Sequence, residues 1–282
     1  MTILVTGASG LIGRNVAALL RAGGVEPRCG TRRPGGAGHV WFDLTDAASF
    51  GPALAGVRAV MLVSRPGDED AHLHAAPFVE AMQRQGVRRV VVLSALGAGS
   101  RPEFSLRRVE RLVEESGMDW VHVRPNFFMQ MLAQPPLSTE IASEDRLRLP
   151  LDDARVAYVD SGDVAAVLHR ALVDPALSRV AIDVSGPEAL DHHQLAASIG
   201  RLRGRPVEYL AIGEDEARDL LAARGFPPRH TERVLTFYRL IRAGVCARPD
   251  EVAARLLGRP LRRWNEVAGL HACAWMPASA TR

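Results

Sequence analysis

The first thirteen residues constrain this chain more than any other stretch. Thr2–Thr6 reads as a short buried strand and Leu11–Ala22 as an amphipathic helix, with Leu11, Ile12, Val16, Leu19 and Leu20 on one side. Thr6-Gly7-Ala8-Ser9-Gly10-Leu11-Ile12-Gly13 joins them. Glycines at this G-x-x-G-x-x-G spacing permit a tight turn, a close approach of backbone to a ligand, and close packing of helix on strand. The helix then presents free N–H groups and the positive end of its dipole to an anion. The expected ligand is the pyrophosphate of a dinucleotide, cradled by Gly7, Ser9, Gly10, Leu11, Ile12 and Gly13. A purely structural glycine turn is the alternative, and the strand before it and the helix after it weigh against that.

Alternation of short apolar runs with amphipathic stretches continues to about residue 125. Pro27–Thr31, a third run ending before Phe42, Ala59–Ser64, Arg89–Ser94 and Trp120–Arg124 read as strands; Ala71–Gln85 and Pro102–Ser116 read as helices. Such spacing calls for right-handed crossovers and a parallel sheet. Beyond Arg124 the pattern loosens. Gln134–Pro150, with three prolines, reads as a long surface connection, and Val156–Val159 and Val180–Val184 as short strands around a helix at Asp163–Val173. Helices follow at His192–Leu202, with Asp191 as N-cap, at Glu214–Arg224 and at His230–Ala243. The expected class is α/β: a Rossmann-type doubly wound parallel sheet with a smaller C-terminal α/β substrate lobe. Residues 1–133 form the nucleotide domain, with further sheet elements from about 156–184, and residues 134–282 form most of the lobe.

The end of the second strand bears on which dinucleotide binds. Sites for NAD place a carboxylate there, about 20 residues after the glycines, to hold the ribose hydroxyls. Here the chain reads Gly30-Thr31-Arg32-Arg33-Pro34. Guanidiniums pair bidentately with phosphate, so Arg32 and Arg33 are assigned to the 2′-phosphate of NADPH (NADP), the alternative being two solvated surface arginines. Asp43, followed by Leu44, suits the adenine amino group, the alternative being a surface acid before a helix. Ser64 and Arg65, ending the next strand, suit the cofactor phosphates, and Pro125 borders the nicotinamide.

Composition removes other classes. All 35 basic residues are arginine and the formal net charge is only +3. They are scattered and not interleaved with aromatics, which argues against nucleic acid as a partner. Three cysteines without C-x-x-C spacing argue against a disulfide framework or zinc knuckle and favour a reducing, cytoplasmic location. No stretch approaches the roughly 20 apolar residues that span a bilayer, and the short run Ile3–Val5 is no secretory signal. No H-E-x-x-H, paired-acid or zinc pattern occurs, so no metal is expected.

Taken together, these residues resemble the atypical, NmrA-like, NAD(P)H-binding branch of the short-chain dehydrogenase/reductase superfamily. The resemblance rests on Thr6–Gly13, Arg32, Asp43-Leu44 and Val91–Ala95 with Ser94 at a strand end. It continues through Glu110, Glu114–Gly117, Val123-Arg124-Pro125-Asn126-Phe127-Phe128-Met129, Tyr158–Ala165 and Ser185-Gly186-Pro187. It implies a two-lobed oxidoreductase whose relatives reduce quinones, azo compounds or triphenylmethane dyes. The departure is as informative. Ordinary members of the superfamily use Tyr-x-x-x-Lys, but this chain has three tyrosines and no lysine, and Arg107 stands where the family's own lysine is expected. Arginine stays protonated and is no general base.

Hydride transfer itself needs mainly an oriented nicotinamide and a nearby electrophilic carbon. Ser94 and Asn126 are the candidate catalytic residues, the first as a hydrogen-bond partner of substrate or ribose. Phe127, Phe128, Met129 and Met131 form an apolar wall, with core packing as the competing role for about half of them. The expected function is an NADPH-dependent reductase acting on a quinone, enone or polycyclic aromatic ketone, with secondary-metabolite biosynthesis as a setting. Alternatives are a non-catalytic NADP(H)-sensing regulatory protein of the NmrA type and a redox-neutral isomerase or cyclase. The expected partner is a small aromatic or quinone-like molecule; no membrane partner is expected and a homodimer is left open.

Overall fold

In a computed structural model, described for residues 2–65 and 67–277, strands and helices alternate from the start: β1 Thr2–Val5, α1 Leu11–Ala22, β2 Arg28–Thr31, β3 His39–Trp41, α2 Phe50–Leu54, β4 Val57–Val63, α3 Ala71–Arg84, β5 Arg89–Leu93, α4 Ser105–Glu115 and β6 Asp119–Pro125. After α5 Leu137–Glu144 and β7 Arg146–Leu149 come α6 Ser161–Val173 and β8 Val180–Val184. The remainder is α7 His192–Arg203, β9 Glu208–Ala211, α8 Glu214–Ala223, α9 Pro228–Arg242, α10 Val252–Leu257 and α11 Trp264–Leu270. Two compact units result. Among the described residues, the first holds those up to Pro125, Ser161–Val184 and Val252–Arg259; the second holds Asn126–Asp160, Ser185–Glu251 and 260–277.

The first unit is built on seven strands in the order β3-β2-β1-β4-β5-β6-β8, each neighbouring pair parallel. A parallel sheet covered on both faces needs apolar residues pointing both ways, and Ile3–Val5 and Val60–Leu62 are wholly buried. Helices α1 and α6 pack together, as do α3 and α4. Under α3, the rings of Phe42, Phe50 and Phe78 meet at 4.8–6.0 Å. Strand order runs outward in opposite directions from β1 and β4. That reversal opens a crevice at the carboxyl ends of these strands, where open α/β sheets hold ligands.

The second unit corrects two expectations. Gln134–Pro150 is no bare connection, because it contains α5 and β7. In β7, Leu147 and Leu149 point inward and Arg146 and Arg148 outward, and the strand pairs in parallel with β9, which the sequence reading missed. The prolines lie at the margins of these elements, not inside them. Val156–Val159 is not a strand. Val156 bridges to Leu190, Ala157 N–H donates to the Cys246 carbonyl and Val159 bridges to Phe128, so three partners divide what a ladder would need from one. Sequence reading put the domain boundary at residue 133; the two units part at Pro125.

Candidate cofactor and active site

Thr6 closes β1 onto β4. Its hydroxyl donates to the Met61 carbonyl at 2.9 Å and accepts from the Val63 N–H at 2.9 Å. The chain then turns at Gly7, whose φ of +62° is a left-handed conformation that a side chain strains. Gly13 meets a different demand. A Cβ there would overlap the Gly7 carbonyl oxygen and come within 2.8 Å of Ala8 Cα, so α1 lies directly on the turn. Gly7, Ser9 and Gly10 are exposed, with Ile12 and Gly13 buried behind them. No side chain caps the start of α1, and its first turn holds no acid. Its orphan N–H groups therefore look outward for an acceptor, and a pyrophosphate fits both the charge and the cradle.

The rim beside this turn is organised by Thr31, the last residue of β2. Its hydroxyl lies 3.4 Å from Ser9 Oγ and accepts from the Arg33 N–H at 3.2 Å, tying the glycine turn to the arginine loop. Arg32 and Arg33 are exposed, and neither makes an ion pair among the described residues. Asp43 and Arg65, read separately as contacts of adenine and of phosphate, are paired with each other: Arg65 Nη2 lies 3.0 and 3.2 Å from the two carboxylate oxygens. The Thr45 N–H and hydroxyl also donate to Asp43, at 2.9 and 2.8 Å. Burial would raise the Asp43 carboxyl, but these donors and Arg65 hold it below its usual value. Leu44 is buried in the core, and the Ser64 hydroxyl is buried with no hydrogen-bond partner among the described residues.

Ser94 ends β5, where its N–H donates to the Val123 carbonyl at 2.8 Å. Its buried hydroxyl has no partner at hydrogen-bonding geometry among the described residues, yet lies near enough to Glu110 to help lower that carboxyl's pKa. Glu110 is wholly buried and receives Arg124 Nε and Nη2 at 2.8 and 2.7 Å and Arg107 Nη1 at 3.0 Å. Arg107 also grips Glu114, at 2.5 and 3.0 Å, and Glu114 meets His122 Nε2 at 3.1 Å. Burial pushes Glu110 up, but Arg124, Ser94 and the neighbouring charges together bring it below its ordinary value; burial pushes His122 down, against the pull of Glu110 and Glu114. Glu110, Glu114 and His122 offer ligand atoms within 4.8 Å of one another, as a metal site would. Arg107 and Arg124 already fill that space with positive charge, so the cluster is an ion-pair network. The helical spacing of Arg107, Glu110 and Glu114 was visible in the sequence. The reach of Arg124 from β6 was not.

Pro125 ends β6, and its carbonyl accepts from Leu96 N–H at 2.9 Å. In the second unit Asn126 spends its amide on structure. Nδ2 donates to Ser185 Oγ at 3.3 Å and to the Cys246 carbonyl at 3.0 Å, while Oδ1 accepts from Phe127 N–H at 2.9 Å. Phe127 meets Phe237 edge to face at 6.1 Å, and Phe128 is half-buried. Met129 lies in the core at 1% exposure, whereas Met131 stands 43% exposed. Sequence reading also missed the buried pair of Tyr158 Oη and His192 Nε2, 3.0 Å apart. Burial raises the Tyr158 hydroxyl and takes His192 down to about 4. Neither partner carries charge at neutral pH.

Comparison with known proteins adds to this geometry. The sequence profile of the NAD(P)H-binding family matches residues 7–175. The chain is 36% identical over 288 residues to a (4-alkanoyl-5-oxo-2,5-dihydrofuran-3-yl)methyl phosphate reductase of Streptomyces griseus, covering 98% of this chain and 99% of the relative. It is 30% identical over 285 residues to an NAD(P)H azoreductase of Xenophilus azovorans, covering 97% and 99%. The structure of the Escherichia coli NADPH-dependent quinone oxidoreductase QOR2 in complex with NADPH shares the fold at TM-score 0.85 and 19% identity, over 95% of this chain and 99% of that one. Among the described residues no helix is long and apolar enough to cross a membrane. With an uncapped glycine turn at the switch point of its sheet and these relatives along its length, the chain belongs to the NAD(P)H-binding family and is an NAD(P)H-dependent oxidoreductase of the NmrA-like, atypical short-chain dehydrogenase/reductase kind.

Proposed function

We propose that this oxidoreductase draws on NADPH and reduces a conjugated acceptor: a quinone, an enone or a polycyclic aromatic ketone. The observation that carries the cofactor choice is the state of charge at the rim, where Arg32 and Arg33 have no ion partner among the described residues and the nearby Asp43 carboxylate is already occupied. Bound NADPH supplies the hydride. Gly7–Gly13 hold the pyrophosphate, Arg32 and Arg33 the 2′-phosphate, and Pro125 the edge of the nicotinamide ring. Replacing both arginines by alanine should cost NADPH about 1.5–3 kcal/mol of binding, the scale of a charge-assisted hydrogen bond, and leave NADH nearly unchanged. Equal losses for the two cofactors, measured by fluorescence titration, would refute the 2′-phosphate assignment.

The acceptor class follows from which proton donors the chain lacks. No lysine exists to tune a tyrosine, Arg107 is committed to two carboxylates, and the Ser94 hydroxyl is buried beside Glu110. Reduction of an isolated carbonyl needs an acid at the developing alkoxide. Hydride addition to a quinone or conjugated enone instead leaves a delocalised anion that water can protonate later. The name of the Streptomyces relative supports this reading, since it describes a ring double bond conjugated with two carbonyl groups, both attached to the same alkene carbon. Phe127, Phe128 and Met131 supply apolar surface for an aromatic or quinone-like molecule, with Met129 supporting them from the core. Decay of NADPH absorbance with purified protein against quinones, enones and unconjugated ketones tests the proposal. Turnover should appear with the first two classes; reduction of unconjugated ketones alone would overturn it.

A further inference from the structure

We infer that Arg65 sets coenzyme preference by masking the Asp43 carboxylate from the 2′-phosphate of NADPH, without itself holding that phosphate. The inference rests on the NADPH reading and concerns two residues that no local pattern joins.

The argument begins with strand order. Asp43 follows β3 and Arg65 follows β4, with β2 and β1 between them in the sheet. Strands lie about 4.8 Å apart, so the pair links strand ends roughly 14 Å distant. It therefore passes the carboxyl ends of β2 and β1, which carry the arginine loop and the glycine turn. The near end is fixed as well: Val63 lies two residues before Arg65, and its side chain lies 3.6 Å from where a Gly7 Cβ would stand. At the far end, Phe42 N–H donates to the Thr31 carbonyl at 3.0 Å, so β3 keeps its register with β2 up to the residue before Asp43, level with the start of the arginine loop. A dinucleotide with its pyrophosphate on the turn and its 2′-phosphate on Arg32 has to lie along this bridge.

Charge then decides the consequence. The Asp43 side chain is 15% exposed, held by Thr45 and ionised at neutral pH, and the Arg65 side chain is 48% exposed. Without Arg65 this rim would present a bare carboxylate close to a phosphate bearing up to two negative charges. Such a charge repels the 2′-phosphate of NADPH and leaves NADH, which has no phosphate there, nearly unaffected. With Arg65 in place, the cationic arginines act on the phosphate unopposed. Arg65 can therefore change selectivity through Asp43 alone.

A four-member cycle tests this: wild type, Arg65→Gln, Asp43→Asn and the double variant. For each, dissociation constants are measured for NADPH and NADH at low and high ionic strength. The readout is the ratio of NADH to NADPH dissociation constants. Arg65→Gln should lower that ratio about tenfold at low salt, the scale of one unit charge acting across a partly solvated surface, and less at high salt. The double variant should regain the ratio to within about threefold of wild type, because the charge being masked is gone. Asp43→Asn alone should not lower it. Loss in Arg65→Gln without recovery in the double variant would make Arg65 a direct phosphate ligand and overturn the masking. Equal losses for both cofactors would make the pair a structural brace and overturn it too. The arginine-loop variant at Arg32 and Arg33 separates the two ideas. If that variant leaves the ratio unchanged, the assignment of the 2′-phosphate fails, while recovery in the Asp43–Arg65 cycle still registers the masking.

Discussion

Replacing Gly13 by alanine should weaken NADPH binding by about a hundredfold or more while leaving the central sheet folded. The added methyl would overlap a backbone carbonyl oxygen, that of Gly7, and lie within 2.8 Å of a second backbone atom, Ala8 Cα. Neither can rotate away as a side chain would. The first turn of α1 and the loop Gly7–Gly10 must separate, and the N–H groups proposed to hold the pyrophosphate then diverge. Charge-assisted hydrogen bonds contribute about 1.5–3 kcal/mol each, so losing alignment at two of them reaches a hundredfold. Gly7→Ala is the milder comparison, because its φ of +62° carries a backbone penalty of about 1–2 kcal/mol without a comparable overlap. Titration with NADPH, with thermal unfolding as a check on the fold, should rank the two in that order. Wild-type affinity in Gly13→Ala would mean that the turn does not hold the cofactor.

The largest effect on stability should come from Glu110. Its carboxylate is wholly buried between Arg107 and Arg124. Removing one member of a buried pair leaves the other charged and desolvated, at a cost of about 3–5 kcal/mol. Glu110→Ala should lose that much in chemical denaturation. Glu110→Gln, which keeps the shape and loses the charge, tests whether charge or packing dominates; a full recovery in Gln would remove the electrostatic account.

The same network has a pH signature. The folded pKa of Glu110 lies below its unfolded value, so its contribution is present above the unfolded carboxyl pKa and is lost as pH falls through the folded one. His122 is likewise lowered, by burial. Below about pH 6.5 the unfolded chain takes up a proton that folded His122 refuses, so stability drops there first. His192, lowered to about 4, acts in the same direction. Stability should therefore be level above about pH 7, decline from about 6.5 and fall further below about 4. His122→Gln should remove part of the first decline, and denaturation midpoints measured against pH would show an unchanged profile if His122 does not contribute.

Much of the first unit was legible before any coordinates. The boundaries of α1 coincide with the expected Leu11–Ala22, and six strands fall within two residues of their expected ranges. The physical reason is local: a buried parallel strand has to be apolar throughout, and a helix on its face has to show one apolar side. The glycine turn was legible for the same reason, since its demands are made by backbone within seven residues. Asp191 likewise caps α7 as its identity suggested, with Gln194 completing the capping box.

Tertiary structure decided what depends on residues distant in the chain. Nothing local in Arg-Leu-Arg-Leu at β7 names its partner, because β9 follows some sixty residues later. Nor does the residue type of Met129 or Met131 reveal which one is core. Asp43 and Arg65 were each recognisable as polar groups at strand ends, yet only the strand order, which sets β3 and β4 on either side of β1 and β2, brings them together. Arg124 reaches Glu110 because β6 lies beside β5 and α4. The sequence by itself thus determined the class of fold and the geometry of the glycine turn, which are matters of short-range sterics and apolar pattern. The tertiary structure decided which charges are paired and which remain open to a ligand, because electrostatic partners are chosen by distance in space.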